Sequence, residues 1–338
     1  MEVLEIIKNA YTGYANYLWS EISNPSWHNY FYALTLVSLF FFLLEVAMPW
    51  RKKQAVFRKD FFLDVFYMYF NFFLFSLIIY NAGSEVFVHG TRKIFAALFS
   101  IDLSSFNPLD NKPIWLVFLI GFIIRDFIQW LTHRLLHRIP FLWEFHKVHH
   151  SVKEMGFAAH LRYHWMETIV YRTVEYLPLA FLGIGLYDFY FIHIFSILVG
   201  HYNHSNISIP YSITGAIVGA LAGLIIGSAG FDTNIISDPN LISLIIAGLV
   251  GSTFGFLILS KFIKYIFNNP EMHIWHHAKQ LPEKHKYGVN FGLSLAIWDY
   301  LFSTAYIPHN GRDIELGFSG DKRFPKTFFR QITHGLKR

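Results

Sequence analysis

The chain has 338 residues, of which 54% are hydrophobic, 19% aromatic and only 15% charged, with a formal net charge of +5. A soluble domain carries about a quarter charged residues, so this shortfall points to an integral membrane protein, and so small a basic surplus, spread between apolar runs, argues against a nucleic-acid footprint. The absence of cysteine excludes disulfides, thiolate zinc or iron–sulfur ligation, CxxCH haem attachment and a cysteine nucleophile.

The first twenty residues, MEVLEIIKNAYTGYANYLWS, lack the basic start, apolar centre and small-residue cleavage site of a secretory signal and read as mature chain. With about twenty apolar residues per crossing, a first crossing is expected over 30–48, closed by Pro49 and the basic run Arg51, Lys52, Lys53, Arg58 and Lys59. A second is expected over 61–80. Residues 81–112 form a mixed connection with turn signals at Asn107-Pro108 and Asp110-Asn111, and a third crossing over 114–131 carries Arg125 and Asp126 near its end. A histidine-rich stretch runs to about 166. Two apolar pairs follow, 167–182 with 187–200 around Gly183-Ile184-Gly185, and 212–230 with 241–267 around the polar turn 232–240. The second pair ends at Asn268-Asn269-Pro270, and from 305 the chain is polar and basic.

The expected organisation is therefore membrane anchor helices over 1–125, a histidine-box domain over 126–304 with a glycine-rich hairpin insert at about 211–260, and a polar basic tail over 305–338. Basic residues flanking crossings favour the cytoplasmic side. With 51–59 placed there, paired crossings return residues 133–166, 201–204 and 273–277 to that same face. In the hairpin Gly215, Gly219, Gly223 and Gly227 recur every four residues, with Gly251 and Gly255 in the next segment; such spacing puts them on one helix face and permits close backbone approach.

Of the 18 histidines, eight crowd into boxes. His133 and His137 are spaced HxxxH; His146, His149 and His150, like His273, His276 and His277, are spaced HxxHH. Residues three and four apart share a helix face, so eight imidazoles form three patches. Imidazole suits iron, copper, nickel and zinc; eight are too many for one metal, whereas two metals could use them. The isolated His28, His89, His193, His309 and His334 read as packed or interfacial residues. The zinc-protease signature HExxH is absent, since Lys147 and Ile274 follow His146 and His273. A non-enzymatic, His-rich membrane protein that binds or transports metal stays open as an alternative, although Asp64, Arg125 and Asp126 are few for an intramembrane path.

The order HRLLH, LWEFHKVHHS, RYHWME, HSN, NNPEMHIWHH and YGVNFGLSLAIWDYLFST, over about 126–304, closely resembles the fatty acid hydroxylase and sterol desaturase superfamily. That resemblance implies an all-α protein of polytopic membrane helices supporting a cytoplasmic helical cap, with two iron ions and O2 as co-substrate, acting on an unactivated C–H bond of a lipid by hydroxylation or desaturation. By position it carries over His133, His137, His146, His149, His150, His273, His276 and His277 as ligands. His204 of HSN matches a further ligand, and His201 is a plausible one. His164 is a ligand or a support to ligands, and His160 and His285 are weaker matches. Ligating imidazoles usually donate their second N–H to a carboxylate or carbonyl, which makes Asp126, Glu167 and Asp299 candidates for that role. No catalytic residue beyond these is identified. The hairpin departs from the family pattern, which has a much shorter connection there.

No GxGxxG fingerprint follows an expected strand, and without cysteine there is no conventional iron–sulfur relay. Electrons are therefore expected from outside, from a ferredoxin or a b-type haem carrier with its reductase. Arg134, Arg138, Lys147, Lys153, Lys279, Lys284 and Lys286 are expected to steer such a carrier. The aromatic content fits an apolar substrate pocket.

Overall fold

The computed structural model describes residues 2–26, 28–75, 108–109, 112–181, 186–229 and 241–336, and these form helices with no strand, joined by two isolated antiparallel bridges, Phe267 to Leu295 and Ala278 to Leu316. The all-α expectation holds. Among the described residues, three stretches are long and apolar enough to cross a membrane: Tyr30–Ala47, Ile114–Arg138 and Ser243–Lys261.

A first helix absent from the sequence reading, α1 (Glu2–Ser23), leads into α2 (Tyr30–Ala47). Asn29 caps α2: its side chain accepts the Tyr32 N–H at 3.3 Å and donates to the Glu21 carbonyl at 2.7 Å, while the Glu21 carboxylate accepts the Phe31 N–H at 3.0 Å. Caps of this kind satisfy the orphan N–H groups of a helix start. α3 (Phe61–Tyr69) runs into a π-helical turn at Phe70–Leu74. The remainder of the expected crossing 61–80, most of the connection after it, His89, the glycines at 183 and 185 and the turn 232–240 lie outside the described residues.

α4 (Ile114–Arg138) is the expected third crossing, but it continues past the apolar run to Arg138. One unbroken helix thus carries the crossing and the first histidine box. α5 (Pro140–His150) follows after one residue, with Pro140 in its first turn, where the missing N–H is harmless. α6 (Trp165–Phe181) and α7 (Leu186–His204) form the first apolar pair, and α8 (Tyr211–Ala229) and α9 (Leu241–Leu257) the second. The single apolar run expected to 267 is broken: α9 stops at Leu257, a 3-10 turn spans Leu259–Lys261, and α10 covers only Ile263–Ile266. The chain turns here against Gly215, where an added Cβ would lie 2.8 Å from the Ser260 nitrogen. The new direction is held by the Asn268 N–H donating to Ser294 O at 2.9 Å, and it delivers α11 (Pro270–His276) to the other boxes. α12 (Ile297–Leu301) and α13 (Phe328–Ile332) complete the chain.

Two basic residues of the 51–59 run point into the protein. Arg51 donates to Met155 O at 2.9 Å, Arg58 to Gly156 O at 3.3 Å, and Asp64, wholly buried, pairs with Arg58 at 2.8 Å and Arg162 at 2.9 Å. This cluster ties α3 to the segment between α5 and α6. Removing one member of such a buried set costs about 3–5 kcal/mol, because the others stay desolvated. Residues 305–336, expected as a polar tail, contribute several buried side chains to the core. Leu316 packs with Trp50, Val152, Met155, Ile274 and Trp275, and Phe318 and Phe324 pack with Tyr67 and Val148. Gln331 accepts from the Tyr67 hydroxyl at 3.1 Å, and the Trp165 indole N–H donates to Ile332 O at 2.8 Å. The tail's apolar residues are too sparse to read as an element, yet Leu316, Phe318 and Phe324 find partners on or beside the histidine-bearing segments.

In the α8–α9 hairpin the glycines touch backbone to backbone. A Cβ on Gly219 would lie 2.9 Å from Gly255 Cα and 3.0 Å from Gly251 C, and one on Gly223 3.2 Å from Gly251 Cα. The opposite faces, with Ile217, Leu221, Leu249 and Val250, are exposed, as lipid-facing surfaces require. Replacing Gly219 and Gly223 by Leu should lower the melting temperature of the detergent-purified protein, through overpacking of about 1–3 kcal/mol per site; unchanged melting would contradict this packing.

Candidate metal centre

The boxes do not form three patches but two groups of nitrogen donors. His133, His137, His146, His150 and His276 converge in one, and His149, His204, His273 and His277 in the other, with all donor atoms within 4.8 Å of one another in each group. Each HxxHH box is split. The i and i+4 members, His146 with His150 and His273 with His277, go to one group, while the i+3 members His149 and His276 go to the opposite group. The rings of His150 and His277 stack across the divide with centroids 4.5 Å apart. Eight of the nine are buried and His137 is half-buried.

Local sequence aims these rings. Pro140 opens α5 one residue after α4 ends, so two short-linked helices cross and face one another. Asn269 caps α11 by accepting the Met272 N–H at 3.0 Å, with Pro270 in the first turn. His204 ends α7, and Glu45 of α2 fixes the turn beyond it by accepting the N–H groups of Asn206 and Phe157, both at 2.8 Å.

The ring nitrogens show what the groups are for. His133 Nδ1 lies 2.8 Å from Phe291 O, His149 Nδ1 3.0 Å from Arg162 O, His204 Nδ1 2.8 Å from Gly200 O and His276 Nδ1 2.8 Å from Val289 O. A carbonyl only accepts, so each Nδ1 carries the proton and each Nε2 a lone pair. His146 Nδ1 likewise donates to Glu167 Oε2 at 2.7 Å. Yet His133 Nε2 faces His146 Nε2 at 3.1 Å, and His149 Nε2 faces His204 Nε2 at 3.2 Å. Lone pair against lone pair at that distance is repulsive unless a cation lies between. Among the described residues His276 Nε2 and both ring nitrogens of His277 are buried with no hydrogen-bond partner, each a cost of about 1–3 kcal/mol that coordination removes. Protonation does not resolve the conflict. Burial, with the charge of neighbouring rings, holds His146, His150, His276 and His277 well below the ordinary histidine range, and burial pushes His149 down to about 3. The residues fit metal.

The expected site residues fall into place unevenly. Glu167 orients His146, and its other oxygen accepts the His164 N–H at 3.2 Å at the start of α6. Asp126 touches no histidine. It accepts from Ser294 N at 3.0 Å, Leu295 N at 3.2 Å and Trp298 Nε1 at 2.9 Å, so it fastens the loop before α12. Asp299 also acts at one remove: it accepts the N–H groups of Phe291 at 2.9 Å and Gly292 at 2.8 Å, fixing the strand of backbone whose carbonyl holds His133. His201 stands outside both groups, with Nε2 3.0 Å from Ser38 Oγ and Nδ1 3.0 Å from His160 Nδ1. His164 is also outside: its Nδ1 accepts the Met166 N–H at 3.1 Å and its ring lies 4.8 Å from Phe145. His285 packs on Tyr306.

Two supports escaped the sequence reading. Asn290, at φ 53°, holds Met272 O and Tyr306 O with its amide, both at 2.8 Å. Gly288 has φ 102°, and a Cβ there would lie 2.9 Å from His137 Nδ1; both the backbone and the ring demand glycine. The motif YGVNFG signals both residues, but only their partners assign the roles.

A cavity of about 140 Å³ opens on His133 and His146 of one group and His149 and His204 of the other. Its far wall is polar, with Arg125 and Gln129 from α4, Thr168, Tyr171, Arg172 and Glu175 from α6, and His193 and Ser196 from α7. Phe72, Leu161, Ile197 and Leu293 line it as well, so apolar and polar side chains share the cavity that adjoins the histidines.

Residues 118–222 match the fatty acid hydroxylase family model. That stretch is similar to fatty acid hydroxylases. The matched stretch runs from α4 into α8 and includes the boxes from His133 to His204, and it supports the resemblance to the fatty acid hydroxylase and sterol desaturase superfamily. A similar protein is the ornithine lipid hydroxylase OlsE of Rhizobium tropici, 26% identical over 235 residues, which are 70% of this chain and 54% of that one. The chain thus spans about half the length of the curated relative it matches. No solved structure matches.

Substituting His276 by Ala removes a donor from one group only, and His204 by Ala from the other. Each variant is expected to lose roughly one metal of two, measured by plasma mass spectrometry; full retention in both contradicts the grouping. Acid supplies a second test. The unfolded chain's histidines titrate near about 6.5 and the buried ones far lower, so between those values the unfolded state binds more protons and stability falls as pH falls. Metal-depleted protein should melt at a lower temperature at pH ~5.5 than at pH ~7.5, and equal melting would contradict buried neutral rings.

Proposed function

We propose that the protein is a membrane-embedded, O2-dependent lipid hydroxylase whose two histidine groups each hold an iron ion. The observation that carries this reading is the pair of nitrogen-only groups sharing one cavity wall, in a chain with a stretch similar to fatty acid hydroxylases. Iron bound there would supply the redox chemistry that activates O2 toward a C–H bond. Histidine-only ligation suits that work, since imidazole survives oxidising conditions that destroy thiolates. The chain's own residues do the rest. Backbone carbonyls and Glu167 fix the tautomers of the ligands. α4, α6 and α7 close the cavity, and His133, His146, His149 and His204 set the end of it at which substrate is attacked. Burial of eight of the nine rings keeps bulk water from the centre. The relative's name brings an ornithine lipid forward as the substrate class, with hydroxylation preferred to desaturation.

Inserting one oxygen atom of O2 into a C–H bond and reducing the other to water takes two electrons and two protons from outside the substrate. We place the donor on the face where His137 is half-buried, which we assign to the cytoplasm together with multi-pass insertion. Most of the basic residues expected to steer the carrier are already engaged. Lys147 pairs with Glu144 at 2.7 Å, Lys286 with Glu283 at 3.4 Å, Lys153 with Asp321 and Lys279 with Glu315. Arg134 and Arg138 lie over Trp130 and Tyr287. Close apolar contact near Tyr287 and His137, more than long-range attraction, then governs docking. Purified protein with lipid, O2 and NAD(P)H alone should give no product, and a ferredoxin or b-type haem carrier with its reductase should restore turnover. Robust turnover by the isolated chain with NAD(P)H would overturn this electron path, and zinc movement into proteoliposomes without oxidation would favour transport instead.

A further inference from the structure

Two segments far apart in sequence meet in one exposed aromatic surface. Phe328 of α13 sets its ring edge-on to Phe66 of α3 at 4.7 Å and to Phe70 at 4.8 Å, and Gln331 is tied to Tyr67 on the same helix. Beside this seam Phe329 is 77% exposed and Phe62 72%; Phe57 and Phe66 are exposed too, and Phe57 stacks on Phe62 at 5.8 Å. Phe62 and Phe66 stand one turn apart on the apolar helix that runs from Phe61 to Leu74. Single exposed apolar residues need no explanation, but a contiguous aromatic face marks a contact with another phase or partner. Cations border it. Arg330 follows Phe329 directly, Lys326 stands three residues before it, and Lys322 and Arg323 form the turn ahead of that. All four are exposed, and among the described residues none is in an ion pair. Asp321, the acid beside Lys322, is taken by Lys153 and Lys279.

Aromatic rings bordered by lysine and arginine suit the headgroup layer of a bilayer, with the rings at the acyl boundary and the cations among the phosphates. A soluble protein is the poorer fit, because interface cores are depleted in lysine and part of this face belongs to an apolar helix. Resting only on the membrane insertion proposed above, we infer that the C-terminal segment is an interfacial clamp. Phe329 and the face it shares with α3 enter the boundary between headgroups and acyl chains, and Lys322, Arg323, Lys326 and Arg330 bind anionic phospholipid headgroups. The clamp bears on the histidines. The same segment holds α3 through Gln331 and Tyr67, the start of α6 through the Trp165 indole, and α5 through the pair of His334 with Glu144. Lipid seated on it therefore steadies the helix that carries His146, His149 and His150.

The chain has no cysteine, so Phe329→Cys gives a single site for a bimane label on the full chain, purified and returned to bilayers of phosphatidylcholine mixed with phosphatidylglycerol. Bromine on the acyl chains of one lipid or the other quenches bimane by contact. At equal mole fraction, brominated phosphatidylglycerol is expected to quench about five-fold more than brominated phosphatidylcholine, the factor that one cation near an anionic surface supplies. Raising the salt should shrink that preference. Lys326→Gln combined with Arg330→Gln should abolish it, while metal content stays that of the parent. Equal quenching by the two lipids at low salt overturns the anionic site, and quenching by neither overturns the clamp. A second label, at Leu36→Cys on the exposed face of α2, separates that failure from failure of membrane insertion. Quenched at 36 and unquenched at 329, the chain is in the bilayer without a clamp; unquenched at both, the membrane reading itself falls. Should Phe329→Cys fail to fold, the exposed Thr333, one turn further on, takes the label as Thr333→Cys, and the same outcomes decide.

Discussion

Two pairs of imidazole nitrogens face one another lone pair to lone pair, and most of the fold serves to keep them so. The arrangement is unstable by itself. Each ring must be neutral, each must turn its proton outward to a fixed acceptor, and no water can come between. Carbonyls of Phe291, Arg162 and Gly200 and the carboxylate of Glu167 supply those acceptors. Gly200 lies near the C-terminal end of α7, where its i–4 relation to His204 lets a helix carbonyl do the work.

Seen from this constraint, the buried acids make sense. Asp299 and Asp126 bind the loop that carries Phe291 and leave the imidazoles alone, so a carboxylate fixes a backbone that fixes a ring. Asp64 joins Arg58 and Arg162, and Arg162 brings its own carbonyl to His149. The C-terminal segment presses the same elements from outside, through Leu316, Phe318 and Gln331. The Asp64 cluster and the C-terminal segment look like ordinary stability when taken singly; together they set nitrogen positions.

Much of this was legible in the residues. Apolar runs marked α2, α4 and the hairpin; helical spacing marked eight of the nine histidines now found in the groups, and the HSN motif of the family resemblance marked His204. Spacing could not show that the i+3 member of each HxxHH box crosses to the opposite group, because that depends on the angle between α5 and α11. His201 has ligand chemistry and sits three residues from His204, but its side of α7 meets Ser38 and His160. Arg125 and Asp126 are adjacent and were read together, although neighbouring residues on a helix point apart: one lines the cavity, and the other holds the loop at 294–298. The α1 helix and the C-terminal packing escaped because their apolar residues are diluted by polar ones. The hairpin's glycines were legible as close packing, and the backbone contacts bear that out.

X-ray absorption at the iron edge, on full chain purified at low expression in an iron-replete host, tests the central claim most directly. The account predicts two irons per chain, each in a shell dominated by imidazole nitrogen. A folded chain without iron, a single iron per chain, or a porphyrin environment would contradict it.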